Sequence, residues 1–308
     1  VLSDIKELHI EPTSLCNAEC PMCARNLYGE GLNPLISLQG LTLKWFEKNL
    51  PTDAIRNLDK IFFCGNVGDP ACTPQLLDII EYLKACKPNL TVGLNTNGGI
   101  KTTTWWTKLG SMLQDPRDYC VFSIDGLADT NHLYRKNVKW DKIMTNATAF
   151  ISTGASAHWD MLVFEHNKHQ VESAQNLAKQ MGFTWFRSKQ TDRWDTYTKT
   201  KLHPAEEYVK LDYNNIEKVT CEKNRDKSAF IDYKGKYWPC CHIAEAYINQ
   251  VGFELHKELR EFDNEQLMSE YQTRLDQNNP FYTCKRTCGT SEGKRSQWKT
   301  EVEFNEVH

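Results

Sequence analysis

Three cysteines lie close together near the beginning of the chain, at Cys16, Cys20 and Cys23 in the run Cys-Asn-Ala-Glu-Cys-Pro-Met-Cys. Three thiolates can bind three irons of a [4Fe–4S] cube and leave the fourth iron without a protein ligand. A structural metal site normally has every position filled, whereas a reactive site keeps one position open. The spacing therefore predicts an iron–sulfur cluster that takes part in chemistry.

The alternative for this triplet is a zinc knuckle, or three unrelated buried thiols. A zinc site of this kind needs a fourth ligand within a few residues. The nearest histidine is His9, upstream of the triplet, and the next cysteine along the chain is Cys64. Neither has the spacing of a zinc ligand, so the sequence favours the open iron–sulfur site.

Five more cysteines lie in the last third of the chain, at Cys221, Cys240, Cys241, Cys284 and Cys288, and we call them the second cysteine set. Four thiolates could make a closed cluster with no iron left open. The alternative is a four-cysteine zinc site, which would favour Cys-x2-Cys knuckles at both ends. Those knuckles are missing from this sequence. Adjacent residues of a strand face opposite ways, which disfavours Cys240 and Cys241 as ligands of the same iron.

Short β-rich runs alternate with helical patterns as far as about residue 187. The predicted strands are Leu8–Ile10, Lys60–Cys64, Thr91–Asn95, Tyr119–Ile124, Trp159–Phe164 and Thr184–Arg187. Two predicted helices are Pro74–Cys86, with Thr73 as N-cap, and Lys168–Met181, ended by Gly182. A βα repeat of this kind predicts an α/β fold with a parallel sheet and helices outside it. Six strands predict a partial (β/α)6 barrel of the TIM type.

Active sites of such barrels lie at the carboxyl ends of the strands, which is where the triplet falls after strand one. Glycine-rich or polar turns also follow later strands. Ser123 and Asp125 can face the same way, because side chains alternate along a strand. The alternative for each of these positions is an ordinary polar turn. The candidate ligand-binding residues in these turns are Gly65, Gly68, Asp69, Asn97, Ser123 and Asp125. Further candidates after strands five and six are Glu165, His166, Asn167 and Arg187.

The character of the chain changes after the sixth strand. Residues 188–220 are polar and contain one predicted short helix, Pro204–Leu211. We therefore divide the chain into a barrel with its linker, residues 1–215, and a smaller α+β unit, residues 216–308. In the second unit, residues 230–231 and 237–238 predict the two strands of a hairpin.

The composition excludes several classes of function. The chain has 308 residues, 40% hydrophobic and 25% charged, with a formal net charge of −3. No strong field draws such a protein to nucleic acid or to an anionic membrane. No apolar run approaches the roughly 18 residues that span a bilayer. The first ten residues do not resemble a signal peptide. Cysteines at motif spacing without a secretory signal predict metal binding in a reducing cytoplasm.

The triplet and the turns after it resemble the radical S-adenosylmethionine (SAM) superfamily. Gly68-Asp69-Pro70 is similar to the Gly-Gly-Glu-Pro segment of that family, whose backbone carbonyls bind the SAM amine. The run Asn131 to Arg135 resembles the segment whose arginine pairs with the SAM carboxylate, with Leu133 where the family usually has aspartate. Met22 stands where the family has an aromatic residue, and a thioether can also pack against adenine.

This resemblance implies a specific chemistry. The open iron is chelated by the amine and carboxylate of SAM. An electron from the cluster then cleaves SAM to a 5′-deoxyadenosyl radical, which abstracts a hydrogen atom from the substrate. An external flavodoxin or ferredoxin is implied as the electron donor. Gly65, Gly68, Asp69, Asn97, Ser123, Asp125 and Arg135, together with Met22, are implied to bind SAM.

The second cysteine set resembles the SPASM and twitch domains of the same superfamily. Cys221 to Cys240 follows their Cys-x(9–15)-Gly-x4-Cys signature, with Gly235 as its glycine. Only Cys284 and Cys288 follow, so the shorter twitch form fits better than a full SPASM domain. The resemblance implies one auxiliary [4Fe–4S] cluster that accepts an electron from the substrate.

Two substrate classes remain open. Many relatives modify a peptide or protein side chain, and we favour this class. Those enzymes often carry a peptide-recognition domain before the barrel, and we expect none here because strand one begins within the first ten residues. This raises the alternative of a dehydrogenase or cyclase that acts on a small molecule, such as an aminocyclitol. A hypothesis of another class is a non-catalytic iron–sulfur or zinc protein, which would not cleave SAM.

Overall fold

The structure is a computed structural model that describes residues 5–208, 216, 219–248, 263–277, 279–289 and 299–304. Its strands are β1 (Glu7–Ile10), β2 (Lys60–Phe63), β3 (Thr91–Thr96), β4 (Tyr119–Ser123), β5 (Ala157–Val163), β6 (Trp185–Gln190), β7 (Ser228–Ile231), β8 (Tyr237–Trp238) and β9 (Thr300–Glu303). They form one nine-stranded sheet in the order β8-β7-β1-β2-β3-β4-β5-β6-β9.

Helices lie between most of these strands. They are α1 (Leu43–Asn49), α2 (Thr52–Arg56), α3 (Leu76–Cys86), α4 (Thr103–Met112), α5 (Asn131–Tyr134), α6 (Trp140–Ile151), α7 (Val171–Met181), α8 (Glu222–Arg225), α9 (Cys241–Ile248), α10 (Asn264–Asp276) and α11 (Tyr282–Cys288). No helix in the described part of the chain is long and apolar enough to span a bilayer.

Strands β1 to β6 pair in chain order and all run parallel. Strand β7 adds a parallel neighbour on the other side of β1, and β8 folds back on it as an antiparallel hairpin. Strand β9 closes the opposite edge, antiparallel to β6. The predicted α/β fold with a large parallel sheet is confirmed, and so is the hairpin. Parallel strands bring their carboxyl ends to one edge, which gathers the turns after β1 to β6.

The two faces of the sheet carry different side chains. Alternate residues of β1 and β2, such as Ile10 and Phe63, are buried against the helices in the main apolar core. The residues between them, such as His9 and Phe62, lie on the inner face. A second apolar core covers this inner face near β7, and Phe230, Trp238 and several cysteines contribute to it.

A row of rings crosses the inner face. The ring centroids of His9 and Phe62 are 4.9 Å apart, those of Phe62 and Tyr119 5.9 Å, and those of Tyr119 and His158 5.0 Å. Further along the same strands, toward their carboxyl ends, the inner face turns polar. The rings therefore form a floor beneath the carboxyl edge of the sheet.

The starts of two helices differ from the sequence prediction. Helix α3 begins at Leu76 with Gln75 at its N-cap, so Thr73 does not cap it. Thr73 instead lies directly after a 3-10 turn formed by Pro70–Cys72, and it is the C-cap of that turn. Helix α7 begins at Val171, after a 3-10 turn over Lys168–Gln170, and ends at left-handed Gly182 as predicted.

The predicted helix Pro204–Leu211 does not form in the residues that the structure describes. Pro204 pairs with Phe164 in an isolated bridge, and residues 205–208 form bends and extended chain. Residues 209–211 lie outside the described residues.

Candidate active site

The three cysteines of the triplet lie on the loop that follows β1. Cys20 is buried, and Cys16 and Cys23 are partly buried. The Sγ atom of Cys16 accepts a hydrogen bond from the backbone N–H of Ala18 at 3.3 Å. Cys23 Sγ lies 3.7 Å from the carbonyl oxygen of Asn66, in the turn after β2. The triplet therefore sits against that turn, as the parallel sheet requires.

Burial raises the pKa of all three thiols. The pKa of Cys20 rises to about 11, because burial outweighs the opposing effect of the Arg135 guanidinium. The pKa values of Cys16 and Cys23 are also raised, chiefly by burial. A bound cation that replaces the proton would favour the thiolates, as in other metal–thiolate sites.

Arg135 and Asp125 form a buried ion pair beside the triplet. Arg135 Nε donates to Asp125 Oδ2 at 2.6 Å, and Arg135 Nη1 lies 3.9 Å from Cys20 Sγ. The other oxygen of Asp125 accepts from the backbone N–H of Leu162 at 2.6 Å. Both oxygens of Asp125 are therefore occupied, and the side chain acts on a ligand through Arg135.

Asp69 organises the turn after β2 and the turn after β3. Its Oδ1 accepts from the N–H of Ala71 at 2.9 Å and from Thr96 Oγ1 at 2.8 Å. Its Oδ2 accepts from the N–H of Asn97 at 2.8 Å. The side chain of Asp69 is thus fully engaged, which leaves the main chain of its turn as the part that a ligand can contact.

Gly65 and Gly68 permit the tight path of that turn. A Cβ atom on Gly68 would lie 1.8 Å from the carbonyl oxygen of Thr13, and one on Gly65 would lie 1.7 Å from the carbonyl oxygen of Gly68. Both distances are well below contact distance, and both involve backbone atoms. The sequence prediction that glycine allows close backbone approach here therefore has a direct geometric basis.

Asn97 connects the third turn to the triplet. Its side-chain Nδ2 donates to Asn17 Oδ1 at 3.0 Å and lies 3.7 Å from Cys16 Sγ. Ser123, at the end of β4, donates to Asn95 Oδ1 at 2.8 Å and is partly buried on the inner face. Asn97 therefore contacts the triplet loop directly, whereas Ser123 contacts the neighbouring strand β3.

Met22 is fully buried in the main core, and its carbonyl oxygen accepts from Arg193 Nη1 at 2.9 Å. Arg193 also pairs with Glu245 of α9, with Nη2 and Oε1 3.5 Å apart. Tyr28 and Tyr197 meet edge to face, with ring centroids 6.1 Å apart. The segment of residues 191–200, which we call the bridging segment, therefore links the triplet loop to helix α9.

The candidates after β5 and β6 have different surroundings. Glu165 is exposed and pairs with Lys168. Asn167 is buried and donates to the carbonyl oxygens of Asp125 and Leu162 at 2.9 Å, so it supports the ion-pair loop. The ring of His166 stacks on Phe164. Arg187 makes a two-bond contact with Asp160 at 2.8 and 2.9 Å on the inner face.

The second cysteine set gathers around the second apolar core. Cys221, Cys240 and Cys284 belong to that core or pack against it. Burial raises the pKa of Cys284, and the neighbouring thiols Cys240, Cys221 and Cys288 add to the shift, so all four lie within electrostatic range. Cys221 Sγ and the hydroxyl of Tyr271 are 2.6 Å apart. Cys241 and Cys64 are buried in the same core.

Within the described residues, no three His, Cys, Asp or Glu side chains are placed to hold a single metal ion. A [4Fe–4S] cube makes a different demand, because each thiolate binds a separate iron. The donors at the triplet fit such a cube in their chemistry, since they are thiols on one short loop. The nearby guanidinium of Arg135 offsets the negative charge of a thiolate-bound cluster.

Two functional residues were missed by the sequence analysis. Glu11 follows β1 and is fully buried, and its Oε1 accepts the N–H groups of Val67 at 2.5 Å and Gly68 at 3.1 Å. The signal was available, since Glu11 is a polar residue at a strand's carboxyl end. Arg193 gave no such signal, because its partners Met22 and Glu245 are far away in sequence.

No protein-family profile matches this chain. A curated protein that resembles it is the tungsten-containing aldehyde ferredoxin oxidoreductase cofactor-modifying protein of Pyrococcus furiosus. The two are 28% identical over 123 residues, which cover 40% of this chain and 32% of that protein. The match thus spans about a third of the curated relative.

Solved structures resemble the chain over a larger share of its length. Streptococcus suis SuiB bound to S-adenosylmethionine gives a TM-score of 0.55 at 15% identity, over 86% of this chain and 67% of that chain. Native anSMEcpe with bound AdoMet gives a TM-score of 0.57 at 13% identity, over 92% of this chain and 89% of that chain. Both were solved with S-adenosylmethionine bound. At 13–15% identity these likenesses show the fold, and the chain shares it with these two proteins.

Proposed function

We propose that this protein is a radical SAM enzyme that uses an auxiliary cluster. The single observation that carries the proposal is the meeting of the Cys16–Cys23 loop, the Gly65–Asp69 turn and the buried Arg135–Asp125 pair at the carboxyl edge of the sheet. These three features supply thiol ligands, backbone carbonyls and a cation side by side. SAM offers the matching groups, namely an amine and a carboxylate.

In this proposal Cys16, Cys20 and Cys23 hold a [4Fe–4S] cluster. When bound, that cluster would supply the electron that cleaves SAM to a 5′-deoxyadenosyl radical. Arg135 binds the SAM carboxylate, since a guanidinium matches a carboxylate fork, and Asp125 keeps Arg135 in place.

The remaining residues complete the SAM site. The carbonyl groups of the Gly65–Asp69 turn accept from the amine, and Asp69 holds that turn against Asn97. Ser123 and Asn97 bind the ribose or the polar end of SAM. Met22 is fully buried, so in this proposal its side chain packs in the core beneath the SAM site and does not make the contact with adenine that the sequence resemblance implied.

The auxiliary site belongs to the same proposal. Cys221, Cys240, Cys284 and Cys288 hold a second [4Fe–4S] cluster in a twitch-type unit that we assign to residues 216–308, beside a partial (β/α)6 barrel. Four cysteine ligands leave no iron open, which favours an electron-transfer role. In support, Cys221, Cys240 and Cys284 belong to or pack against the second apolar core, and so does Phe62 of the row of rings.

The substrate that we favour is a peptide or protein side chain. Two proteins of similar fold have been solved with peptides: SuiB with its precursor peptide SuiA, and anSMEcpe with the Cp18Cys peptide. A small-molecule substrate is the second candidate, because the Pyrococcus furiosus relative is named for modifying a cofactor. A reducing cytoplasm and an external flavodoxin or ferredoxin as electron donor complete the proposal.

Anaerobic reconstitution tests the proposed function. The chain should bind about eight irons, and dithionite with SAM should yield 5′-deoxyadenosine. Alanine at all three triplet positions should remove about four irons and all deoxyadenosine formation. Cys86→Ala is the matched control, since Cys86 lies on α3 beside Thr52 and should leave both readouts unchanged. Bound zinc without SAM cleavage would contradict the proposal.

The substrate class needs its own measurement. Candidate peptides and small molecules deuterated at different carbons would be supplied, and deuterium in deoxyadenosine would be read by mass spectrometry. Transfer from a peptide supports the favoured class. Turnover of a free sugar, amine or cofactor precursor without any peptide would exclude it.

A further inference from the structure

Glu11 is a buried acid that contacts the turn after β2. Its side chain has no exposed surface, and its Oε1 accepts two consecutive backbone N–H groups, from Val67 at 2.5 Å and Gly68 at 3.1 Å. The next N–H, that of Asp69, donates to the carbonyl oxygen of Leu15 at 2.8 Å. Three successive N–H groups of the turn are therefore directed at the segment that leads from β1 to the triplet.

This arrangement fixes the direction of two carbonyl groups. Among the described residues every peptide bond is trans, and in a trans peptide the C=O points opposite to the N–H. The N–H groups of Val67 and Gly68 point toward Glu11, so the carbonyls of Asn66 and Val67 point away from it. The Asn66 oxygen does lie on the triplet side, 3.7 Å from Cys23 Sγ.

The burial of Glu11 is costly, which argues against an incidental role. Its Oε2 atom is buried without a hydrogen-bond partner among the described residues. A buried polar group without a partner destabilises the folded protein, because it gives up its hydrogen bonds to water. An apolar side chain would avoid that cost but would leave the two N–H groups of the turn unpaired.

We propose that Glu11 is a positioning residue: through Val67 and Gly68 it holds the turn so that the carbonyls of Asn66 and Val67 accept from the α-amine of SAM. The inference rests on the proposed function, because it assumes that SAM binds beside the triplet. It assigns the amine contact to two specific carbonyl groups and gives Glu11 no direct contact with SAM.

The test compares SAM with an analogue that lacks the α-amine. Affinities of the reconstituted protein would be measured by anaerobic calorimetry for wild type, Glu11→Ala and Glu11→Gln. We expect Glu11→Ala to weaken SAM binding by about tenfold or more, and binding of the analogue by less than about twofold. Glu11→Gln keeps an acceptor oxygen and should stay within about threefold of wild type. Glu172→Ala, an exposed acid on α7, is the matched control.

A second readout does not need SAM. Amide hydrogen exchange of Val67 and Gly68 should speed up in Glu11→Ala and stay slow in Glu11→Gln, with unchanged iron content. If Glu11→Ala does not fold, Glu11→Asp, which withdraws the acceptor by one methylene, should show a smaller loss of the same kind.

The outcomes separate the inference from the proposed function. If wild type binds SAM but Glu11→Ala weakens SAM and the analogue equally, or weakens neither, the positioning role is wrong and the proposed function stands. If wild-type protein with a full set of irons binds neither compound, both are overturned.

Discussion

At the scale of single residues, the candidate site depends on charges that are removed from water. The Arg135–Asp125 pair is an example, with side chains that are 18% and 1% exposed. Such a pair is costly to break, because the remaining charge is buried without a partner. The effect of replacing a charged residue therefore depends on its burial and its partners as much as on its residue type.

We predict that Arg135→Ala destabilises the protein by about 3–5 kcal/mol and weakens SAM binding by at least about tenfold. Arg135→Lys should retain part of the stability and part of the SAM affinity, since lysine keeps the positive charge but lacks the planar guanidinium. Arg117→Ala removes an exposed pair with Asp115 and should leave stability close to that of wild type. Chemical denaturation and calorimetry measure the two effects. Equal losses in the Arg135→Ala and Arg117→Ala proteins would contradict this account.

Glu11 gives a pH prediction. Burial raises its pKa from 4.5 to about 8, and nearby Asp232 adds to the shift, while Cys64 and Tyr233 are its other titratable neighbours. A carboxyl group with a raised pKa contributes stability below about pH 4.5 and loses it as the pH rises through about 8. Wild type should therefore lose stability relative to Glu11→Gln over this window, by at most about 1.4 kcal/mol per pH unit.

The measurement for Glu11 is the difference in melting temperature between the two proteins, followed from pH 5 to pH 9. Using the difference removes the contribution of every other titrating group that both proteins share. Parallel curves for wild type and Glu11→Gln would show that the buried carboxyl does not titrate in this range.

At the scale of elements, the turn after β2 is fixed by its neighbours more than by its own sequence. We predict that Gly68→Ala moves this turn away from Thr13, since the added Cβ would meet the Thr13 carbonyl at 1.8 Å. Binding of SAM should weaken by about tenfold, and stability should fall by about 1–3 kcal/mol.

Gly154→Ala is the control for this substitution. Gly154 has a φ of +82° with nothing within 4 Å of an added Cβ. Gly154→Ala should lower the free energy of unfolding by only roughly 1–2 kcal/mol, the cost of a left-handed backbone at alanine. It should leave SAM binding unchanged. Similar SAM affinity in the two variants, measured by calorimetry, would argue against a role for the close approach at Gly68.

Much of the element order could be predicted from the sequence. The six parallel strands follow from apolar runs separated by amphipathic helices, and the hairpin of β7 and β8 follows from two short apolar runs around a turn. The start of α3 could not be predicted from local signals. Asp69 caps a 3-10 turn over Pro70–Cys72, and Thr73 ends that turn. Thr73 is therefore not available as the N-cap of α3, which begins at Leu76.

The sequence predicts those parts of the candidate site whose residues belong to a motif with a recognisable spacing. The triplet, Arg135 and Asp125 could be named from motifs, and they lie together. The hydrogen bonds of Glu11 and Arg193 could not, because each joins residues that are more than fifty positions apart. Such contacts exist only once the sheet has brought the turns to one edge.

At the scale of the whole molecule, the bridging segment connects the two cysteine sets. Arg193 joins the triplet loop at Met22 to Glu245 of α9. Arg286 of α11 donates to Thr196 Oγ1 and to the carbonyl oxygen of Asp192, both at 3.3 Å. One segment thus contacts the loop of the triplet and the two helices, α9 and α11, that carry or adjoin cysteines of the second set.

The two-cluster arrangement gives the last prediction. Replacing Cys221 and Cys284 by alanine should reduce iron from about eight to about four per chain. If the second cluster only accepts an electron from the substrate, SAM cleavage by dithionite should persist in this variant, and net oxidation of the substrate should stop. The physical reason is that, in the proposed function, hydrogen abstraction would occur at the triplet, whereas the oxidation would need an acceptor for the remaining electron.

Cys86→Ala again serves as the matched control. Deoxyadenosine and oxidised product would be quantified in the same reaction, so that their ratio reports the coupling between the clusters. A ratio near that of wild type in the Cys221→Ala, Cys284→Ala protein would contradict the electron-acceptor role. Loss of both products together would instead indicate that the second set of cysteines sustains the triplet site itself, through the contacts of the bridging segment.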